Sequence, residues 1–145
     1  MMMVAEALRQ VIEGDDFASP RGLLRSIKAE TAVIVPLGAP YSIATNVAHA
    51  KIWQEAWLCR LRGVQLPKIV MGQDFPEVSE KEWADVRKEF CDGLDQAYEI
   101  AQRDPFTHFA KDDEAAVRTL LRIAAHGAYH VGQVALLKRM ITASN

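Results

Sequence analysis

Three absences narrow the reading of this 145-residue chain before any motif is considered. No apolar run approaches the ~20 residues that a bilayer-crossing helix needs, and the opening MMMVAEALRQVIEG reads as an amphipathic helix. Lysine and arginine form no stripe: 17 of them stand against 19 acidic residues for a net charge of -2, which makes a phosphate backbone a poor partner. Cysteine is scarce, and Cys59 and Cys91 make neither a CxxC pair nor a disulfide framework. A reducing, cytoplasmic location is therefore expected, with neither membrane nor nucleic acid as a partner.

Strand signals are scarce too. The one β-like stretch, AVIVPLGAP over Ala32–Pro40, holds two prolines and a glycine and reads as an extended connector. What remains is helical. Half the residues are hydrophobic and a quarter charged, the balance of a globular protein, and the length fits one domain over 1–145. Val4, Leu8, Val11 and Ile12 mark one face of a first helix, stopped at Gly14-Asp15-Asp16. Ser19-Pro20 restarts a short extra helix carrying Leu23, Leu24 and Ile27, with serine as N-cap and proline at the first position.

Three longer helices follow. The second bundle helix runs from about Ser42 to Arg62 and ends before Gly63. Val64–Val78 is a loop, and Ser79-Glu80-Lys81-Glu82 is a capping box that opens the third helix, to about Arg103. Its core face is Trp83, Val86, Phe90, Leu94, Ala97 and Ala101, and its charged residues form a solvated face. After DPFTHF the fourth helix runs from about Asp113 to Ile141. The fold class is all-α, a four-helix bundle. The Val64–Val78 connection reaches ~50 Å when extended, against ~32 Å for the second helix. It is long enough to return along the bundle and leave the second and third helices parallel, which gives an up-down-down-up order.

The chemistry lies in HGAYHVGQ, His126 to Gln133. At 100° per residue, His126 and His130 sit about 40° apart and one turn apart along the axis, a spacing that lets two imidazoles share one metal ion. Leu120, Leu121, Ile123, Ala124 and Ala125 make this helix apolar almost all round, so it is expected to be central, and Gly127 and Ala128 leave room for a close neighbour. His49, mid-helix in SIATNVAHAKIW, is the best third ligand, since His108 falls in a loop and reads as a solvated residue. Cys59 is rotated by about 80° from His49 and lies nearly three turns away, so it does not join. The other reading of each histidine is a hydrogen-bonded core or surface residue, and spacing alone does not decide between the two.

Two known metal patterns are excluded. A zincin needs HExxH, and Gly127 stands where its glutamate would be. Di-iron bundles use Glu-x-x-His, and no histidine here has glutamate three residues earlier. A site of three neutral imidazoles without a carboxylate keeps coordination positions open, as catalytic sites do. If the three share an ion, their nitrogens should converge within about 3–4 Å. Gln133 reads as a buried polar contact between helices, with a ligand-orienting role as the alternative. Trp53 shares the His49 face and is a candidate pocket wall.

SIATNVAHAKIW and the later HGAYHVGQVALLKR resemble the DinB-like family, a superfamily of four-helix proteins that includes bacterial thiol transferases. The pattern is a mid-helix histidine, often with an aromatic residue four later, and HxxxHxGQ in the last helix. Here it falls on His49 with Trp53, and on His126, His130, Gly132 and Gln133. The N-terminal EALRQVIEGDDFASPRGLLRSIKAETA and GAPYSI extend the resemblance over nearly the whole chain. It implies an up-down-down-up bundle, a divalent metal (zinc or nickel) on His49, His126 and His130, and frequent homodimers. It assigns no catalytic residue and settles no reaction. The readings that follow are a metal-dependent transferase or isomerase acting through a small thiol cosubstrate, a metal-binding or sensing module without turnover, and a structural dimeric bundle.

Overall fold

The computed structural model describes residues 2–144, and helix is the regular structure they form, with no strand among them. The helices are α1 (Met2–Glu13), α2 (Pro20–Arg25), α3 (Ala29–Ala32), α4 (Ile43–Arg62), α5 (Glu80–Ala101) and α6 (Asp113–Ala143). The single short helix expected after Ser19 is two, α2 and α3, separated at Ser26–Lys28. Local chemistry sets the ends. Ser42 Oγ accepts from the Thr45 amide at the start of α4, and Gly63, at φ 69°, takes the left-handed conformation that closes it. The Ser79–Glu82 capping box opens α5, and Asp112 caps α6.

Side-chain pairs fix the directions. Lys51 meets Glu89 and Arg62 meets Gln96, so residue numbers rise together and α4 and α5 are parallel. Asn46 meets Gln133 while Trp57 meets His126, so α4 and α6 are antiparallel. Ala5 shares a cleft with Tyr98 and Ala101, and Ile12 one with Cys91 and Leu94, which sets α1 against α5. The bundle is up-down-down-up, built on α1, α4, α5 and α6. No helix among the described residues is long and apolar enough to cross a membrane.

The predicted core face of α5 is buried in full, from Trp83 to Ala101. Truncating Trp83 or Phe90 to alanine removes about 3–5 kcal/mol by the usual cavity cost. Gly127 allows the close approach expected of it: a β-carbon there would stand 3.2 Å from Leu94 Cδ2. The expectation of a central fourth helix is corrected. Leu121, Ala125, Tyr129 and Leu136 leave one side of α6 exposed, whereas every residue from Ser42 to Ala50 in the first turns of α4 is buried. The α4–α5 loop contributes, because Asp74 and Phe75 lie against His49, while Tyr41 ties the connector to Gln133 of α6 and stacks on Phe75.

Candidate metal centre

α6 carries His126 and His130 on successive turns, and their Nε2 atoms face each other at 3.1 Å. α4 brings His49 across the antiparallel interface, with its ring centroid 4.9 Å from that of His130 and 5.5 Å from that of His126. One nitrogen from each ring lies within 4.8 Å of the other two, so the set is looser than the expected 3–4 Å even though its α6 edge already meets that span. A shared ion at ~2.1 Å from each nitrogen needs a small inward rotation of His49, which side-chain torsions accommodate. His49 is 7% exposed and His130 4%, while His126 is half-buried, so solvent reaches the cluster on the His126 side.

Hydrogen bonds decide which nitrogens face inward. The Asn46 amide donates to Gln133 Oε1 at 2.8 Å, which leaves Asn46 Oδ1 as an acceptor 3.0 Å from His130 Nδ1. His130 therefore carries its proton on Nδ1 and keeps a lone pair on Nε2. Tyr41 donates to the same Gln133 oxygen at 3.4 Å, tying the connector into the network. His49 Nδ1 lies 2.8 Å from the Asp74 main-chain oxygen, which can only accept, so its free nitrogen is Nε2.

Charge is held off the rings. Burial pushes His126 from the ordinary 6.5 down to about 4, with His49 adding to the effect. Burial likewise pushes His130 to about 4, helped by His126 and His49. With His130 Nε2 bare, His126 Nε2 donates to it across 3.1 Å in the metal-free chain. Once that proton moves to His126 Nδ1, the three rings form a donor set that fits a divalent ion of borderline softness.

Aromatic side chains wall the cluster. Phe75 stacks on His49 at 3.8 Å between centroids, Tyr41 stacks on Phe75 at 4.8 Å, and Trp57 meets His126 edge-on at 5.1 Å. Tyr129 packs edge-on against His130 at 5.2 Å and is 63% exposed. Trp53 reaches the loop, donating to Asp74 Oδ2 at 3.0 Å. That indole N–H is the main influence holding the Asp74 carboxyl below its usual range.

The structure brings His49, His126 and His130 together and leaves the rest apart. Cys59 contacts Glu55 and Arg62, away from the three rings. Gln133 makes the interhelical contact expected of it and through Asn46 also orients His130. The expectation of a solvated His108 is corrected: its side chain is only 8% exposed, packs on Phe106 and meets Asp113 at 2.9 Å. A carboxylate does stand behind the cluster, outside the three-imidazole set. Asp74 Oδ2 lies 3.3 Å from His49 Nδ1, behind the ring, although none is found among the inward-facing groups. Sequence reasoning missed Asn46, Asp74 and Phe75. Asn46 had a signal, a polar residue in the apolar run IATNVAHA that demands a partner. Asp74 and Phe75 had none, since their place depends on the path of a loop.

A family model, that of the DinB superfamily, matches residues 18–134, a span that includes the three histidines, Asn46, Asp74 and Gln133. No curated protein and no solved structure matches the chain.

Proposed function

The chain belongs to the DinB superfamily, and from that premise we propose that His49, His126 and His130 hold one divalent metal ion, zinc or nickel, for chemistry on a small thiol. The observation that supports it is the cluster itself: three buried or half-buried imidazoles on two helices, each with a nitrogen turned toward the others. Three neutral ligands would leave such an ion its full charge, and it would supply Lewis-acid chemistry that lowers the pKa of a thiol.

The chain's own residues do the rest. Asn46 and the Asp74 carbonyl keep the lone pairs of His130 and His49 inward. Phe75, Tyr41 and Trp57 shield the rings from water on their sides, and the half-buried His126 leaves one approach. Among the described residues no inward carboxylate is present to act as a general base for peptide hydrolysis, whereas a thiol that has lost its proton needs none. In the transfer reaction the S–H proton goes to solvent, the sulfur electron pair forms the new S–C bond, and the electrophile's leaving group departs with its own bonding pair.

Homodimerisation and a cytoplasmic location belong to the same proposal. The exposed apolar side chains of Leu121, Tyr129 and Leu136 along α6 support the first, and free Cys59 and Cys91 fit a reducing compartment. The test is metal analysis of protein purified without a histidine tag, followed by loading with zinc or nickel and assay of electrophile conjugation with a panel of small thiols. One ion per chain and turnover that needs both metal and thiol are expected. Metal without any thiol effect would replace this reading with a binding or sensing module, and no metal at all would leave a structural bundle.

A further inference from the structure

Asp74 sits in a loop, yet its side chain is buried against two residues of α4. It meets His49 twice, with its main-chain oxygen 2.8 Å and its Oδ2 3.3 Å from Nδ1, and it meets Trp53 once, where Oδ2 accepts from Nε1 at 3.0 Å. His49 and Trp53 are one helical turn apart, so both N–H groups can point at the same residue, Trp53 at its carboxylate and His49 at its main-chain oxygen. Phe75, the next residue, stacks on the His49 ring.

This arrangement selects one tautomer of a neutral His49. A neutral imidazole carries its proton on one nitrogen only. With the proton on Nε2, the Nδ1 lone pair would face a carbonyl and a carboxylate, two acceptors, while an N–H would point into the cluster. With the proton on Nδ1, the Asp74 main-chain oxygen finds a donor, the carboxylate keeps its own donor in Trp53, and Nε2 is free. We propose that Asp74 is the positioning residue of the cluster: anchored by Trp53, it locks His49 in the Nδ1–H tautomer with the Nε2 lone pair available to the other two rings. Trp53 thereby acquires a role beyond packing, since phenylalanine at that position would have no N–H to hold the carboxylate. The consequence for affinity rests on the metal-site reading, but the tautomer belongs to the metal-free chain.

The test uses the full chain with 15N-labelled histidine, first free of metal and then titrated with zinc against a chromophoric chelator. Wild type should show His49 protonated on Nδ1 and bare on Nε2. Asp74→Ala cuts the Trp53 anchor that holds the residue-74 carbonyl on His49, so it should mix the tautomers and weaken zinc binding by about 10–100-fold, the usual cost of losing a group that orients a ligand. Asp74→Asn keeps an oxygen able to accept from Trp53 or His49, so it should preserve the tautomer and lose less affinity. Trp53→Phe should loosen the tautomer with Asp74 still present, and this variant decides the matter if Asp74→Ala does not fold. A wild-type His49 protonated on Nε2 overturns the proposal. So does an Asp74→Ala chain that melts lower but keeps both tautomer and affinity, because that is the behaviour of a loop anchor alone. Wild type with the expected tautomer and no zinc binding would sink the metal reading and leave the positioning role standing.

Discussion

His49 and His108 each sit against an aspartate, yet only His49 belongs to a cluster. In the His49 pair both side chains are buried, the carboxylate is also held by Trp53, and the free ring nitrogen faces two more imidazoles. In the His108 pair Nε2 points to Asp113, whose side chain is 82% exposed, and Nδ1 is buried without a hydrogen-bond partner. A histidine–aspartate contact is therefore no mark of a site by itself. What distinguishes the first pair is that the outer nitrogen is occupied on purpose-built acceptors while the inner one has somewhere to point.

Removing a cluster ring should separate the two most sharply. His126→Ala or His130→Ala should abolish tight zinc or nickel binding, measured by titration against a chelator, while His108→Ala and Cys59→Ala should leave it intact. Metal bound to the native state alone stabilises it by about 2.7 kcal/mol at a hundred times Kd. Chelation should accordingly lower the Tm of wild type and of His108→Ala, and hardly move that of His130→Ala. Equal shifts in all three would mean that the cluster holds no ion.

The bundle and the three histidines were legible because both depend on helical periodicity. An i, i+4 pair stays a pair wherever the helix packs, and the buried face of α5 follows from spacing alone. The rest depended on segments without a period. Leu121 and Tyr129 are exposed although α6 looks apolar all round, since hydrophobicity tells how many sides can be covered and not which neighbours are present. The first turns of α4 are the better buried, with Asp74 and Phe75 from the α4–α5 loop lying against His49 and Tyr41 from the connector stacked on Phe75. His108 was misjudged for the same reason, its burial resting on the path that stacks it against Phe106.

A smaller effect is expected from pH on the metal-free protein. His126 and His130 are pushed from 6.5 to about 4 in the folded chain, so the unfolded chain takes up protons first as pH falls. Stability then declines as pH drops through the window from about 6.5 to about 4, and these two groups add no further slope below it. The sign is opposite to that of a histidine held charged by a partner. Denaturant unfolding of chelated protein at pH 7.5 and pH 5 measures the slope, and His130→Ala should show a shallower one than wild type. An equal slope in the variant would mean that His130 is protonated in the folded state as easily as in the unfolded one.

The smallest effect should come from Asp113→Asn. Asp113 stands in the first turn of α6, where a carboxylate interacts favourably with the helix dipole, and it meets His108 Nε2 from an exposed position. Exposed pairs contribute about 0–1 kcal/mol and the dipole term about 0.3–1 kcal/mol. Asparagine keeps an oxygen able to accept from His108, so only the charge is removed. Asp112, which caps the helix through the Ala115 amide, is untouched. The expected change is therefore below about 1 kcal/mol, reduced further by salt, with zinc affinity unchanged. Urea unfolding in low and high salt, with a zinc titration beside it, measures both. A loss of several kcal/mol, or any loss of zinc, would show that the His108 pair is coupled to the cluster and would erase the distinction between the two histidines.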